Sequence, residues 1–152
     1  MTKKLLISFL LLLSYGMHSQ VLNWNVDVVS AIPVSNQERK PMLLLFTDNN
    51  SNKGPLDAQI FNTLDFALWS RDNVVLVKLD LTNDPSNEFL ERNLSLKRAF
   101  GVEDLPAICF SKADVRKDKI NYQLLGKTGY RPGGVKSWIL NSKQILIGSV
   151  EE

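Results

Sequence analysis

The chain has 152 residues, 44% of them hydrophobic, with 18 basic side chains against 16 acidic. That is the length of one domain with nearly balanced charge, which excludes the clustered positive field that nucleic-acid binding needs. One histidine (His18) and one cysteine (Cys109) exclude an intrachain disulfide and a zinc site built on those two residue types.

The first segment, MTKKLLISFLLLLSYGMHS, places Lys3 and Lys4 ahead of the apolar run Leu5 to Leu13. Ser14, Gly16 and Ser19 follow as small residues. This is the pattern of a secretory signal peptide over residues 1–19, cleaved after Gly16 or after Ser19, and its core is too short to span a bilayer. The expected mature protein, residues 20–152, is a single domain that is periplasmic or secreted and has no integral membrane segment after cleavage. Without Lys3 and Lys4 it carries 16 basic and 16 acidic residues. His18 leaves with the leader, so neither a Ser-His-Asp triad nor a Cys-His pair is available.

Beyond the lead-in QVLNW, Asn25 or Asp27 is placed to cap a helix bearing Val28, Val29 and Ile32, with Pro33 expected to weaken it or end it early. PMLLLF, Pro41 to Phe46, is a continuous apolar run, as in a strand buried on both faces. The polar loop Thr47 to Gly54 follows. Pro55 suits the first position of a helix carrying Leu56, Ile60, Phe61 and Leu64, and Thr63 suits the cap of a continuation through Trp69. NVVLVKLD, Asn73 to Asp80, is a second strand.

Pro85, Ser86 and Asn87 are expected to open a helix with Phe89, Leu90, Leu94, Leu96 and Phe100, stopped by Gly101. Asp104 to Phe110 reads as a third strand. The interleaved charges Lys112, Asp114, Arg116, Lys117, Asp118 and Lys119 read as a solvated turn over 111–119. Ile120 to Gly126 is a fourth strand, and Val135 to Ile147 a final helix with Trp138 inward. This order predicts an α/β fold, a three-layer α/β/α sandwich with a mixed central sheet.

Several features together resemble the thioredoxin-fold family, most of all its secreted bacterial members. They are Trp24 before the first helix, Lys40-Pro41 leading into MLLLF, Phe46-Thr47 before the loop, and Phe61. VVLVKLD ending at Asp80, Phe100-Gly101-Val102 before Leu105-Pro106, Gly129-Tyr130 and Trp138 complete the set, which covers nearly all of residues 20–152. The resemblance implies a Cys-x-x-Cys pair at the start of the helix after the first long strand, where the helix N-terminus lowers a thiol pKa. Here that window reads DNNSNKGP, Asp48 to Pro55, and both cysteines are missing. The resemblance also implies a cis proline facing the loop, at Pro106, in a groove where extended polypeptide pairs its backbone.

The candidate binding surface is therefore Asn50, Ser51, Asn52 and Lys53 with Leu105 and Pro106. The expected function is an exported thioredoxin-like domain without dithiol redox activity, acting as a binding, accessory or chaperone-like protein for an envelope partner, with no cofactor. The alternative is a thiol-disulfide oxidoreductase using Cys109, whose apolar neighbours Ile108 and Phe110 point to a buried structural thiol. Asp48, Asn50 and Asn52 alternate like the start of a calcium loop, but Lys53 and Gln59 stand where that loop needs Gly and Glu, so no metal is expected. Gly54 and Leu56 with Lys53 lack the spacing of a phosphate loop. Asp57, Asp65, Asp80 and Asp84 are explained by turns and caps.

Overall fold

The computed structural model describes residues 21–149. The predicted signal peptide lies outside the described residues.

Four strands form one sheet in the order β2-β1-β3-β4. β1 (Met42–Thr47) runs parallel to β2 (Val75–Asp80), pairing Met42 with Val75 through Thr47 with Asp80. On its other side β1 is antiparallel to β3 (Ala107–Arg116), and β3 is antiparallel to β4 (Lys119–Thr128). Asn25 adds a single parallel bridge on the outer side of β2, giving its N–H to Leu76 O at 2.9 Å and taking Lys78 N–H at 2.8 Å.

Period-two alternation along β1 splits the core into two halves. Met42, Leu44 and Phe46 meet one layer, α1 (Val28–Glu38) and α3 (Leu90–Ala99), with Val28, Ile32, Leu96 and Phe100 among the partners. Leu43 and Leu45 face the other layer, α2 (Leu64–Asn73) and α4 (Gly134–Gly148), where Phe66, Trp69 and Trp138 pack. The chain is thus the expected three-layer α/β/α sandwich with a mixed sheet. An aromatic chain runs through the second half: Trp24 to Phe61 at 5.3 Å, Phe61 to Phe66 at 5.0 Å and Phe66 to Trp138 at 5.7 Å. The Trp138 indole N–H is satisfied by Gly129 O at 3.0 Å.

Local chemistry sets the helix ends. Asp27 caps α1, accepting from Val29 N–H at 3.0 Å and Ser30 N–H at 3.2 Å. Pro33 does not end α1, which continues to Glu38. The carbonyl that Pro33 leaves without a donor belongs to Val29, on the exposed side, while Val28, Ala31, Ile32 and Ser35 are buried along the same helix. Packing outweighs the proline here.

The segment after Pro55 is not a continuous helix. Asp57–Phe61 form a π-helical turn, closed by Asn62 N–H on Asp57 O at 3.0 Å. This wide turn buries both Ile60 and Phe61. Thr63 is extended and caps α2 through Phe66 N–H at 3.2 Å. That break resets the helical phase, so Leu64, expected inward, is 62% exposed.

α3 begins at Leu90 rather than at Pro85 to Asn87, because those residues close a turn on Asp84. Ser86 N–H donates to Asp84 Oδ1 at 2.8 Å and Asn87 N–H to Asp84 O at 2.9 Å. Gly101, at φ 60°, ends α3, and Lys127 Nζ donates to Phe100 O and Gly101 O, both at 3.1 Å.

The stretch 111–119 is no broad turn. β3 continues to Arg116 and β4 begins at Lys119, leaving a two-residue loop. Lys117 and Asp118 have φ of 51° and 63°, the left-handed pair that matches strand twist in a tight hairpin. Their charges hide a period-two pattern in which Ser111 and Ala113 are buried and Lys112 is exposed.

Phe66→Ala should empty the centre of the aromatic chain and lower stability by about 3–5 kcal/mol, read from the urea midpoint of unfolding. Asp27 also pairs with Arg92 at 2.5 Å. Burial alone would raise its pKa, but the Ser30 and Val29 hydrogen bonds and the Arg92 guanidinium together hold it below the ordinary aspartate value. Asp27→Asn keeps a cap and loses the charge. The wild type should therefore be the more stable at neutral pH, and the gap should close as pH falls below about 4, through the depressed folded pKa, in paired thermal melts.

Candidate functional site

β1 delivers its C-terminal end to the polar loop, and antiparallel β3 begins beside it. Pro106 therefore stands next to the loop, and the Leu105-Pro106 bond is cis. The loop is organised by Asp48. Its Oδ1 accepts from Asn50 N–H at 3.0 Å, Ser51 N–H at 2.8 Å and the Ser51 hydroxyl at 2.8 Å. The hydrogen bonds from Ser51, backbone and hydroxyl, hold the Asp48 carboxyl below its ordinary pKa. Thr47 Oγ1 lies 3.0 Å from Ser51 Oγ, and Lys78 Nζ donates to Asn52 Oδ1 at 2.8 Å. Short Asp, Asn and Ser side chains fold back on their own backbone readily, which explains this composition.

Between the loop and Pro106 lies a small cleft of about 40 Å³. Ser51, Asn52 and Pro106 line it, as do Trp24, Asp57 and Lys78. Of the six predicted surface residues, the structure brings these first three together. Asn50 and Lys53 are exposed on the loop and do not line the cleft. Leu105 packs against the α1 and α3 half of the core. Leu105 precedes β3 and turns into that half, while Pro106 lines the cleft. Trp24, Thr47, Asp57 and Lys78 are further walls, none of them among the six predicted surface residues. Lys78 carries a signal, being the one basic residue in the largely apolar strand VVLVKLD.

Cys109 is 0% exposed and packs on the α1 and α3 side, opposite the face where Leu45, Leu56 and Phe61 form the base of the cleft. Burial pushes its thiol up to about 11, against a smaller opposing pull from Lys127. Among the described residues no three His, Cys, Asp or Glu side chains gather as metal ligands, and no helix is long and apolar enough to cross a membrane.

Comparison with solved structures decides the fold. An oxidoreductase named DsbH superposes with a TM-score of 0.66 at 22% identity, over 82% of this chain and 84% of its own. A thioredoxin from Thermus thermophilus gives 0.61 at 12% identity, over 84% and 89%. This is a thioredoxin fold. The oxidised C-terminal domain of DsbD from Neisseria meningitidis also matches, at 0.51 and 16% identity over 80% and 98%. No protein-family model matches the sequence, and no curated protein matches it. Within this thioredoxin fold the only cysteine is Cys109, so the chain lacks a Cys-x-x-Cys pair.

A buried thiol with a raised pKa should be shielded from reagents. Folded protein at pH 8 should leave Cys109 unlabelled by a thiol-reactive disulfide over minutes, with full labelling once urea unfolds the chain. Rapid labelling of the folded form would contradict this burial.

Proposed function

We propose that the chain is an exported thioredoxin-fold protein that acts by binding an envelope partner and performs no dithiol chemistry. One observation carries this reading: the only thiol is buried on the opposite side of the sheet from the cleft at the loop. Disulfide exchange by a lone protein thiol also leaves a mixed disulfide with no second thiol to resolve it. The cleft offers the loop's hydroxyl and amide groups and the Lys78 ammonium beside Trp24 and Pro106, a mixed apolar and hydrogen-bonding surface suited to polypeptide. Export rests on the leader pattern of residues 1–19, and a periplasmic or secreted location follows from it. The partner contacts Ser51, Asn52 and Pro106 in this reading, with Asn50, Lys53 and Leu105 contributing at most from the margins.

The test has two arms. In a turbidity assay of insulin reduction, the mature protein with dithiothreitol should match the rate of dithiothreitol alone. In affinity capture from crosslinked envelopes, a partner held by the native protein and by Cys109→Ser should be released by Asn52→Arg, after circular dichroism shows that variant folded. Catalysed insulin reduction, or a partner lost with Cys109→Ser and kept with Asn52→Arg, would overturn the proposal.

A further inference from the structure

At the C-terminal end of β2 a second concavity opens, about 460 Å³ in volume. It meets the cleft at Lys78 and extends away from it over the loop between β2 and α3. Asp80, Asp84 and Glu88 line it, against the single ammonium of Lys78, which Asn52 already engages. The loop beneath is fixed by its own hydrogen bonds. Thr82 N–H donates to Asp80 Oδ1 at 2.8 Å, and Asn87 Nδ2 donates to Thr82 O at 3.0 Å. The Ser86 hydroxyl and N–H bind Asp84 Oδ1 and hold that carboxyl below its ordinary pKa, so it is charged at neutral pH.

An acidic rim by itself marks no site; Asn93 provides a separate observation. Asn93 is 1% exposed and lines the same cavity. Its Nδ2 donates to Asp80 O at 3.0 Å, while its Oδ1 has no hydrogen-bond partner among the described residues. Thr82 Oγ1, on the same cavity, also lacks one among the described residues. A buried polar atom left unpaired is costly, so a ligand that donates to Asn93 gains more than an exposed contact would give.

The available groups are carboxylates, an amide oxygen and a hydroxyl, which call for a cation with N–H donors. A bare metal ion would need its ligands to close around one point, and among the described residues no three acidic, His or Cys side chains do so. A wide cavity with separated acceptors suits a flat cation whose donors diverge. We infer that this cavity binds a guanidinium group, carried on an arginine side chain of a polypeptide. Guanidinium presents five N–H donors in a fixed fork suited to carboxylate and amide acceptors, which a lysine ammonium does not match in shape.

The test titrates the isotope-labelled mature protein with acetyl-Gly-Arg-Gly-amide and follows two-dimensional NMR spectra, including the Asn93 side-chain amide. Saturable shifts at Asn93, Thr82 and Ser86 are expected. The citrulline peptide should produce none, and Asp84→Asn with Glu88→Gln should weaken binding about tenfold. The citrulline comparison uses native protein and needs no variant to fold. Tighter binding of the peptide than of free L-arginine would support a polypeptide source. Equal binding of free L-arginine would overturn that source. The absence of saturable shifts, or equal binding of the citrulline or lysine peptide, would overturn the guanidinium site. No envelope partner enters this titration, so its outcome is independent of the capture experiment.

Discussion

β1 is buried along all six residues and hydrogen-bonded to a neighbour on each side. Few sequences can satisfy that position: every side chain must be accommodated by a layer above or below, and every peptide group by β2 or β3. MLLLF does so with alternating residues that divide the molecule into its two apolar halves. The same strand ends at Thr47, still buried, where the polar loop begins. The polar loop and Pro106 are therefore consequences of how β1 ends and how β3 begins beside it.

At that end the loop is ordered by its own short polar side chains. In this chain Asp48 gathers the Asn50 and Ser51 N–H groups and the Ser51 hydroxyl into one closed set. The adjacent Lys78 pins Asn52. The loop thus takes its shape from its own hydrogen bonds, and the cleft against Pro106 has walls that differ in character: Trp24 on one hand, ammonium and carboxylate on the other. Cys109, three residues beyond Pro106, belongs to the opposite half of the core.

The strands buried on both faces are legible in the sequence because a continuous apolar run of that length must be covered from two sides. The cap at Thr63 is legible from its hydroxyl and its place before an apolar turn. The departures share a cause. Leu64 and the start of α3 fall elsewhere than helical spacing puts them, because a cap or turn resets the phase of a helix and spacing alone carries it across the break. Leu105 misses the cleft because its apolar side chain is taken up by the α1 and α3 half of the core just before β3 begins. Ser51 and Asn52 reach it for a simpler reason: they lie where the loop turns back toward Pro106. Asn93 gives no signal, since one amide in an otherwise ordinary helix pattern LERNLSLKRA looks solvent-facing until Asp80 O is found beside it.

The charged hairpin has a meaning that its charge pattern conceals. β1 accompanies β3 only as far as Ser111, so the remaining lengths of β3 and β4 stand as a two-stranded ribbon among the described residues. A ribbon of this kind exposes unpaired peptide groups along both margins and is a template for another chain to add to. Lys112, Asp114, Arg116 and Lys119 alternate along those margins, and a neighbour's backbone would have to approach through their hydration. The same charges that look like loop filler act as fenders, keeping the ribbon's margins from becoming a seam between molecules.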